Sequence, residues 1–465
     1  MALIKSISGI RGTIGGKPGD ALTPEDVILF TAAYGTWIKS AGGTKVVIGR
    51  DARVSGQMVS NLVSSTLAAV GLNVIDTGLS TTPTVELAVT EEAADGGIII
   101  TASHNPGEWN ALKLLNHFGE FISDEEGKRI LKIAEEKNFS YVTADQLGRI
   151  RERKGHIEKH IKQILRHPLV DKRAIKKAKL RIAVDAVNST GGVAVPALLD
   201  ALGVKKIKKI NCKPNGRFAH NPEPLPENLK QICEVMALRK YDLGIVVDPD
   251  VDRLVLICED GKPFGEEYTL VMAADYMLAS YSGEKTATVS NLSSSRALRD
   301  LTEKYGHSWH AAAVGEVNVV SKMKETNALI GGEGNGGVIL PELHYGRDAL
   351  MGIALVLSHL ARSGKPLSAI RASYPTYFIS KNKIELTPSV DVDHILKAVQ
   401  EKYSSENINL TDGVRIDFEE KREWVHLRKS NSEPIVRIIA EAPNEKRAKA
   451  LAEQLMKDIK QISKG

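Results

Sequence analysis

Short apolar runs closed by Gly, Asp or another polar residue recur along this chain, with longer segments of helical spacing between them. Examples are "KVVIGRD", "LNVIDTG", "GGIIIT", "LRIAVDAV" and "DLGIVVD". Continuous apolar runs of this brevity predict strands buried on both faces. Their alternation with helices predicts stacked α/β layers. The helices carry their own start signals: Thr23-Pro24 opens "TPEDVILFTAAYGTWIKSAGG", and Ser123 with Glu126 forms a capping box before "GKRILKIAEEK". The alternation fills three blocks, roughly residues 1–150, 155–255 and 258–370. After about residue 370 the pattern changes to strands between two helices, "DVDHILKAVQEKY" and "EKRAKALAEQLMKDIKQI", which predicts a small α+β domain. The charged segment "RIRERKGHIEKHIKQILRH" between the first two blocks reads as a connecting helix rather than as core.

Length agrees with this division. At about 150 residues per domain, 465 residues predict three or four domains. The excess of 62 basic over 57 acidic residues, a net charge of +5, suits an anionic small molecule and falls short of the balance of a nucleic-acid-binding protein. The clusters "KRAIKKAKLR" and "KKIKK" lack interleaved aromatics and read as solvated faces. Cys212, Cys233 and Cys258 form no CxxC pair, so neither a disulfide framework nor a zinc knuckle is expected. The opening "MALIKSISGIRGTIGG" lacks the apolar core of a signal peptide, and no run approaches the roughly 18 residues of a membrane span. A cytoplasmic protein without membrane or nucleic-acid partners is the expectation.

Four loops carry the chemistry. In "IIITASHNPGEWNALK" a buried-looking strand breaks abruptly into a loop with Ser103 and His104 side by side. In "VVDPDVDRL", Asp248, Asp250 and Asp252 alternate directly after another strand. Two like charges about 4 Å apart cost roughly 4 kcal/mol at an effective dielectric near 20, so three crowded carboxylates want a cation. Oxygen ligands favour Mg²⁺ or Ca²⁺ over zinc. A calcium EF-hand is the competitor, because Glu259 stands twelfth from Asp248. Arg253 occupies the place where that loop needs Gly, and "LVLIC" reads as a strand, so Mg²⁺ leads. In "GGEGNGGVILP", glycines around Glu333 and Asn335 permit close approach of a ligand, and the acid and amide can grip sugar hydroxyls. In "LRKSNSEPIVR", Arg428 and Arg437 flank Ser430, Asn431 and Ser432, a set suited to phosphate. Arg11, Arg50 and Arg53 stand in Gly-bounded loops of the first block, and of these only Arg11 is taken as an anion-steering candidate.

Taken in order, the four loops resemble those of the α-D-phosphohexomutase superfamily over essentially the whole chain. "TASHNP" resembles its phosphoserine loop, "DPDVDR" its metal loop, "GEGNGG" its sugar-recognition loop and "RKSNSEP" its phosphate loop. The resemblance implies three tandem α/β/α domains with mixed sheets and a C-terminal α+β domain, arranged around a central cleft. The expected divisions are 1–152, 153–255, 256–370 and 371–465. It implies that Ser103 carries a phosphoryl group, that His104 supports its loop, and that Lys113 assists proton transfer, with Arg11 nearby. Asp248, Asp250 and Asp252 would hold Mg²⁺ with an oxygen of phospho-Ser103, close to Arg253. Glu333 and Asn335 would bind the sugar, and Arg428, Ser430, Asn431, Ser432 and Arg437 the phosphate not being transferred. The implied reaction interconverts hexose 6-phosphate and hexose 1-phosphate. A hexose 1,6-bisphosphate would serve as intermediate and activator, and a monomer or homodimer is expected.

Departures from the family pattern bear on the sugar. Asn335 and Gly337 replace the Ser and His of the common bacterial loop, which resembles archaeal-type members. "AVGEVNV", with Glu316, is closer to the VGD of phosphoglucosamine or archaeal-type mutases, and "SNLSSSR" lacks a lysine common in bacterial phosphomannomutase/phosphoglucomutase. Glucosamine phosphate is the expected sugar, with glucose or mannose phosphate as the alternative. Two other classes compete: a Mg²⁺-dependent sugar phosphatase, and a non-catalytic sugar-phosphate sensor. Retention of Ser103, Lys113 and all three aspartates argues against the sensor.

Overall fold

The computed structural model describes residues 2–6, 9–385, 392–429 and 435–462. The chain forms two compact units, Met1–Ser280 with Asn335–Ala369, and Tyr281–Gly334 with Ile370–Gly465.

The first unit begins with a seven-stranded mixed sheet. Its order is Leu3–Ser6, Gly9–Thr13, Trp109–Leu115, Gly96–Ile100, Lys45–Arg50, Asn73–Leu79 and Ile150–Glu152. Lys45–Arg50 runs parallel to both Asn73–Leu79 and Gly96–Ile100. Val46, Val47, Ile48, Ile98, Ile99 and Ile100 are all fully buried, as a sheet covered by helices on both faces requires. Helix Pro24–Ser40 covers one face; Thr23 accepts the Asp26 N–H and Asp26 returns the bond, a closed capping box. Ser123 and Glu126 form the second expected box, at the start of Asp124–Glu135.

A four-stranded sheet follows in the order Leu254–Ile257, Leu243–Val247, Arg181–Asp185 and Lys206–Ile210. The "KKIKK" run is its edge strand, where exposed Lys206, Lys208 and Lys209 discourage pairing with another chain. The segment expected to be one connecting helix divides instead. Ile150–Glu152 adds a parallel edge strand beside Asn73–Leu79, and only His156–Arg166 is helical. That helix is not a solvated connector, because Ile157, Ile161 and Ile164 repeat at helical spacing and are buried with His156 and His160.

In the second unit, Ser308–Ala312, Ala287–Asn291 and Ile330–Glu333 lie parallel in that order. A five-stranded antiparallel sheet runs Phe378–Glu385, Ile435–Ala442, Glu423–Lys429, Val414–Phe418 and Asn407–Asn409. Ile395 and Val399 of helix Val392–Lys402, and Leu451, Leu455 and Ile459 of helix Glu445–Ile462, pack with Ile416, Val425 and Ile438 of the sheet. This is the α+β block expected after residue 370. Among the described residues no helix is long and apolar enough to cross a membrane.

Two strand ends of the first unit place its polar loops. Gly96–Ile100 leaves the sheet and returns antiparallel as Trp109–Leu115, and Leu243–Val247 does the same through Leu254–Ile257. Both loops therefore stand at the carboxyl ends of buried strands, where open α/β sheets present ligands.

Candidate active site

Ser103 stands in the first of these loops at φ +48°, a left-handed conformation uncommon for a residue with a Cβ. Its environment fixes that backbone. The Ser103 N–H donates to Thr101 Oγ1 at 2.9 Å, and Thr101 Oγ1 donates to Asp51 Oδ2 at 2.7 Å. Arg53 pairs with Asp51 at 3.0 Å and donates to the carbonyls of Ser103, Asn105, Pro106 and Trp109 at 2.6–2.8 Å. Arg53 is only 1% exposed, so it is a clamp on the serine loop rather than an anion collector.

The Ser103 hydroxyl donates to Asp248 Oδ2 at 2.8 Å, joining two segments 145 residues apart. The aspartate loop is tight: Asp248 Oδ1 accepts the N–H groups of Asp252 at 3.2 Å and Arg253 at 3.1 Å. Val251 sits at φ +63°, an outlier for a β-branched residue of the kind that persists where surrounding bonds over-determine the backbone. Those bonds include the Pro249 carbonyl, which accepts from Ser189 Oγ at 2.7 Å and Thr190 Oγ1 at 2.8 Å. Strands flank the loop on both sides, which removes the EF-hand alternative.

Asp248, Asp250 and Asp252 are each fully buried. Lys113 Nζ lies 2.7 Å from Asp250 and 3.5 Å from Asp252, and the Arg347 guanidinium is 2.7 Å from Asp252. Thr82 Oγ1 donates to Asp250 Oδ2 at 2.6 Å. Burial and the neighbouring carboxylates push Asp248 well above the usual carboxylate range. Asp252 goes the other way: burial is outweighed by Arg347, Lys113 and Arg253, which hold it below that range. For Lys113 burial is likewise outweighed, here by Asp250 and Asp252, so its ammonium stays charged.

The triad fits a divalent cation on the structure's own terms. One carboxylate oxygen from each aspartate lies within 4.8 Å of the others. Asp250 Oδ1 and Asp252 Oδ1 are buried without a hydrogen-bond partner among the described residues. Buried acceptors without donors are costly and rare, and a hard cation is the natural occupant for such oxygens.

The remaining candidates of this unit lie around the same serine. His104 Nδ1 is 3.4 Å from Ser103 Oγ, too far for a strong bond; burial and the charge of Arg253 push the imidazole well below its ordinary value, leaving it neutral at pH 7. Burial and Arg253 also lower Arg11, on strand Gly9–Thr13. Arg253 Nε is buried with no hydrogen-bond partner among the described residues. Asn335 holds a turn by accepting the Gly337 N–H at 3.3 Å.

The second unit carries Glu333, Arg428 and Arg437. Glu333 ends its strand with Oε1 accepting from Asn291 Nδ2 at 2.7 Å and from the Gly315 N–H at 3.1 Å. Arg428 and Arg437 are directly opposed across two antiparallel strands, so two guanidinium groups share one face. Such a pair of like charges is relieved by an anion. Asp412 Oδ2 holds Arg428 Nε at 3.2 Å and also accepts the Val314 N–H. Ser430, Asn431 and Ser432 lie outside the described residues.

Sequence reading missed Arg347, Thr82 and the Asp51–Arg53–Thr101 clamp. Their signals are weak: Asp348 before the apolar run "ALMGIALVL" marks a helix start, and Arg347 is conspicuous only once that cap is recognised.

Fold and site together define an α/β protein in which a serine hydroxyl, fixed in a strained loop, faces a cation-ready carboxylate cluster, as phosphoryl transfer requires. Comparison with known proteins is specific. Family models described as phosphoglucomutase/phosphomannomutase match throughout: α/β/α domain I over residues 3–141, domain II over 158–261, domain III over 265–377 and the C-terminal domain over 386–458. A phosphoglucomutase/phosphomannomutase of Thermococcus kodakarensis is 35% identical over 461 residues, covering 98% of this chain and 99% of its own. A phosphoglucosamine/phosphogalactosamine mutase of Sulfurisphaera tokodaii is 33% identical over 475 residues, covering all of both chains. In fold, the chain matches a crystal structure of a phosphoglucomutase/phosphomannomutase family protein from Burkholderia thailandensis with a TM-score of 0.83 at 23% identity, over 99% of each chain. The chain belongs to the phosphoglucomutase/phosphomannomutase family of the α-D-phosphohexomutase superfamily. It is a phosphohexomutase, an intramolecular phosphotransferase of the isomerase class.

Proposed function

We propose that this phosphohexomutase acts through a phosphoserine at Ser103 and that glucosamine phosphate is its preferred sugar. The observation that carries the first part is the 2.8 Å bond from the Ser103 hydroxyl to a buried aspartate triad with two oxygens that have no hydrogen-bond partner among the described residues. Asp248, Asp250 and Asp252 would hold Mg²⁺, which when bound neutralises charge on the transferring phosphoryl group. The chain's residues do the rest. Arg53 and Asp51 hold the serine outward, Lys113 and Arg347 keep positive charge beside the triad, and Arg11 and Arg253 add cationic charge around His104.

In the proposed cycle the P–O bond to Ser103 breaks as a bond forms to the free hydroxyl of the sugar monophosphate, whose proton passes to the departing Ser103 oxygen and regenerates the serine hydroxyl. The resulting hexose 1,6-bisphosphate returns its other phosphate to Ser103, leaving the isomeric monophosphate. Arg428 and Arg437, with Ser430, Asn431 and Ser432, are assigned to the phosphate that is not moving, and Glu333 and Asn335 to sugar hydroxyls. Domain limits of 1–152, 153–255, 256–370 and 371–465 go with this assignment.

The sugar preference rests on charge. Glu333 is 4% exposed and Glu316 7%, and the Gly315 N–H bond to Glu333 brings the turn carrying Glu316 beside it. One carboxylate at the end of strand Ile330–Glu333 and one opening helix Glu316–Thr326 together favour the ammonium of a 2-amino sugar over a neutral hydroxyl. The name of the Sulfurisphaera tokodaii relative agrees; that of the Thermococcus kodakarensis relative supports glucose or mannose phosphate as the alternative. Two measurements test these parts separately. Mass spectrometry after incubation with a hexose bisphosphate and Mg²⁺ should find phosphate on Ser103, and its presence only elsewhere refutes the donor assignment. Side-by-side kcat/KM values should rank glucosamine 6-phosphate above mannose 6-phosphate and glucose 1-phosphate, and the reverse order moves the preference to the alternative. Stoichiometric inorganic phosphate without an isomeric sugar phosphate would indicate a phosphatase instead.

A further inference from the structure

A second cluster of ligand-type side chains lies in the first unit, outside the aspartate triad. His160 is on helix His156–Arg166, and Asp348 is the N-cap of helix Ala349–Ser363 with His344 just before it. His160 Nε2 is 2.8 Å and His344 Nε2 3.3 Å from the same oxygen, Asp348 Oδ2. One ligand atom from each residue lies within 4.8 Å of the others, and the side chains are 0%, 11% and 2% exposed. We propose that His160, His344 and Asp348 bind a structural divalent cation of the zinc type.

The argument comes from what surrounds each side chain. Imidazole ligands of a metal commonly give their second ring N–H to a carboxylate, backbone carbonyl or water that fixes tautomer and orientation, and a threonine hydroxyl oxygen can accept in the same way. His160 Nδ1 faces Thr84 Oγ1 at 3.0 Å, and His344 Nδ1 faces Glu86 Oε2 at 3.3 Å. Asp348 is arranged in the same way: Oδ1 accepts the N–H groups of Leu350 and Met351 at 2.8 and 3.1 Å, while Oδ2 points at both imidazoles. His160 and Asp348 thus each have one atom hydrogen-bonded to an outer partner, His344 Nδ1 stands beside Glu86 Oε2 at ion-pair distance, and both Nε2 atoms converge on Asp348 Oδ2.

Spacing and charge agree. Tetrahedral bonds of about 2.0–2.1 Å place ligand atoms about 3.3 Å apart, close to the His344–Asp348 separation, and the His160 contact needs to open by about half an ångström. Glu86 and Asp348 are buried carboxylates beside imidazoles, and a divalent ion balances them without protonating either ring. Two imidazoles and one carboxylate favour zinc over magnesium, unlike the all-oxygen triad. The ion would pin helices Thr82–Glu91, His156–Arg166 and Ala349–Ser363 together, next to Thr82 and Arg347, which contact Asp250 and Asp252. The competing occupant is a proton on His344, which also lies between two carboxylates.

Metal content separates the two. Full-length protein grown with zinc and dialysed against excess Mg²⁺ should retain about one zinc per chain. His160→Gln and His344→Gln should each lower that at least tenfold, and Asp248→Asn should leave it unchanged. If those histidine variants fold poorly, the wild-type chain still decides. A strong chelator should lower its thermal midpoint, Zn²⁺ but not Mg²⁺ should restore it, and Co²⁺ should give the visible absorption of a low-coordinate histidine site. Zinc-free wild-type protein whose midpoint ignores added Zn²⁺, or zinc that persists in both histidine variants, overturns the proposal.

Discussion

Ser103 is exposed to its partners by a strained backbone, and the strain is held by residues remote in sequence. Arg53 reaches it across 50 residues and Asp248 across 145. Replacing Ser103 by Ala removes the proposed nucleophile while leaving that clamp, so turnover should fall by about three orders of magnitude or more with little change in stability. A coupled assay with an unfolding curve checks both parts, and retained turnover excludes Ser103 as donor. Arg347 sits 2.7 Å from Asp252, and in the proposed cycle it would supply positive charge where phosphoryl transfer builds negative charge. Arg347→Met should lower kcat about tenfold to a hundredfold, the effect of about 1.4–3 kcal/mol, and Arg347→Lys should recover part of it. An unchanged kcat in the Met variant makes the contact structural only. Ser103 and the three aspartates were legible in the sequence because each belongs to a polar cluster that interrupts a strand. Arg347 and Thr82 were not, because the carboxylates that give them meaning are 95 and 168 positions away.

Elements were legible wherever a local pattern decides them. The capping boxes at Thr23 and Ser123, the buried strands at Val46–Ile48 and Ile98–Ile100, and the late antiparallel strands all follow from short-range rules. The segment from Ile150 to Arg166 did not, since its charges suggested one connecting helix. The backbone there pairs with a sheet edge first, and the helix then buries three isoleucines despite its flanking charge. The serine loop is the sharpest case of tertiary determination. Its conformation depends on the buried Asp51–Arg53 pair, and removing one partner of such a pair costs about 3–5 kcal/mol. Arg53→Met should therefore lower stability by about that amount and make residues 101–108 susceptible to proteolysis. Urea unfolding and limited digestion test this. Asp51→Asn combined with Arg53→Met should cost less than the sum of the single changes, because the two residues answer each other; simple additivity would separate them.

At the scale of the molecule, the order of α/β layers and the α+β end was readable because one strand–helix rhythm gives way to another near residue 370. The division into two units was not, since residues 281–334 join the C-terminal block through tertiary packing alone. Inside that second unit, Glu441 on strand Ile435–Ala442 links several elements. It accepts from the Arg296 N–H at 2.9 Å and Trp424 Nε1 at 2.7 Å. It is fully buried, and burial pushes its carboxyl up to about 7, against the opposing effects of Ser295, Arg296, Trp424 and Arg415. The ordinary value is 4.5, so between those pH values the folded chain holds a proton that the unfolded chain has lost. The Glu441 contribution is therefore fully present below about pH 4.5 and falls as pH rises through about 7, by about 3 kcal/mol in total. Paired carboxylates elsewhere, such as Asp252, tilt stability the opposite way below the usual carboxylate range, so the wild-type profile mixes both. The difference between wild type and Glu441→Gln isolates the Glu441 contribution. Denaturant midpoints taken across that window should show the variant losing less stability as pH rises. Parallel profiles would mean that Glu441 is ionised in the folded state throughout.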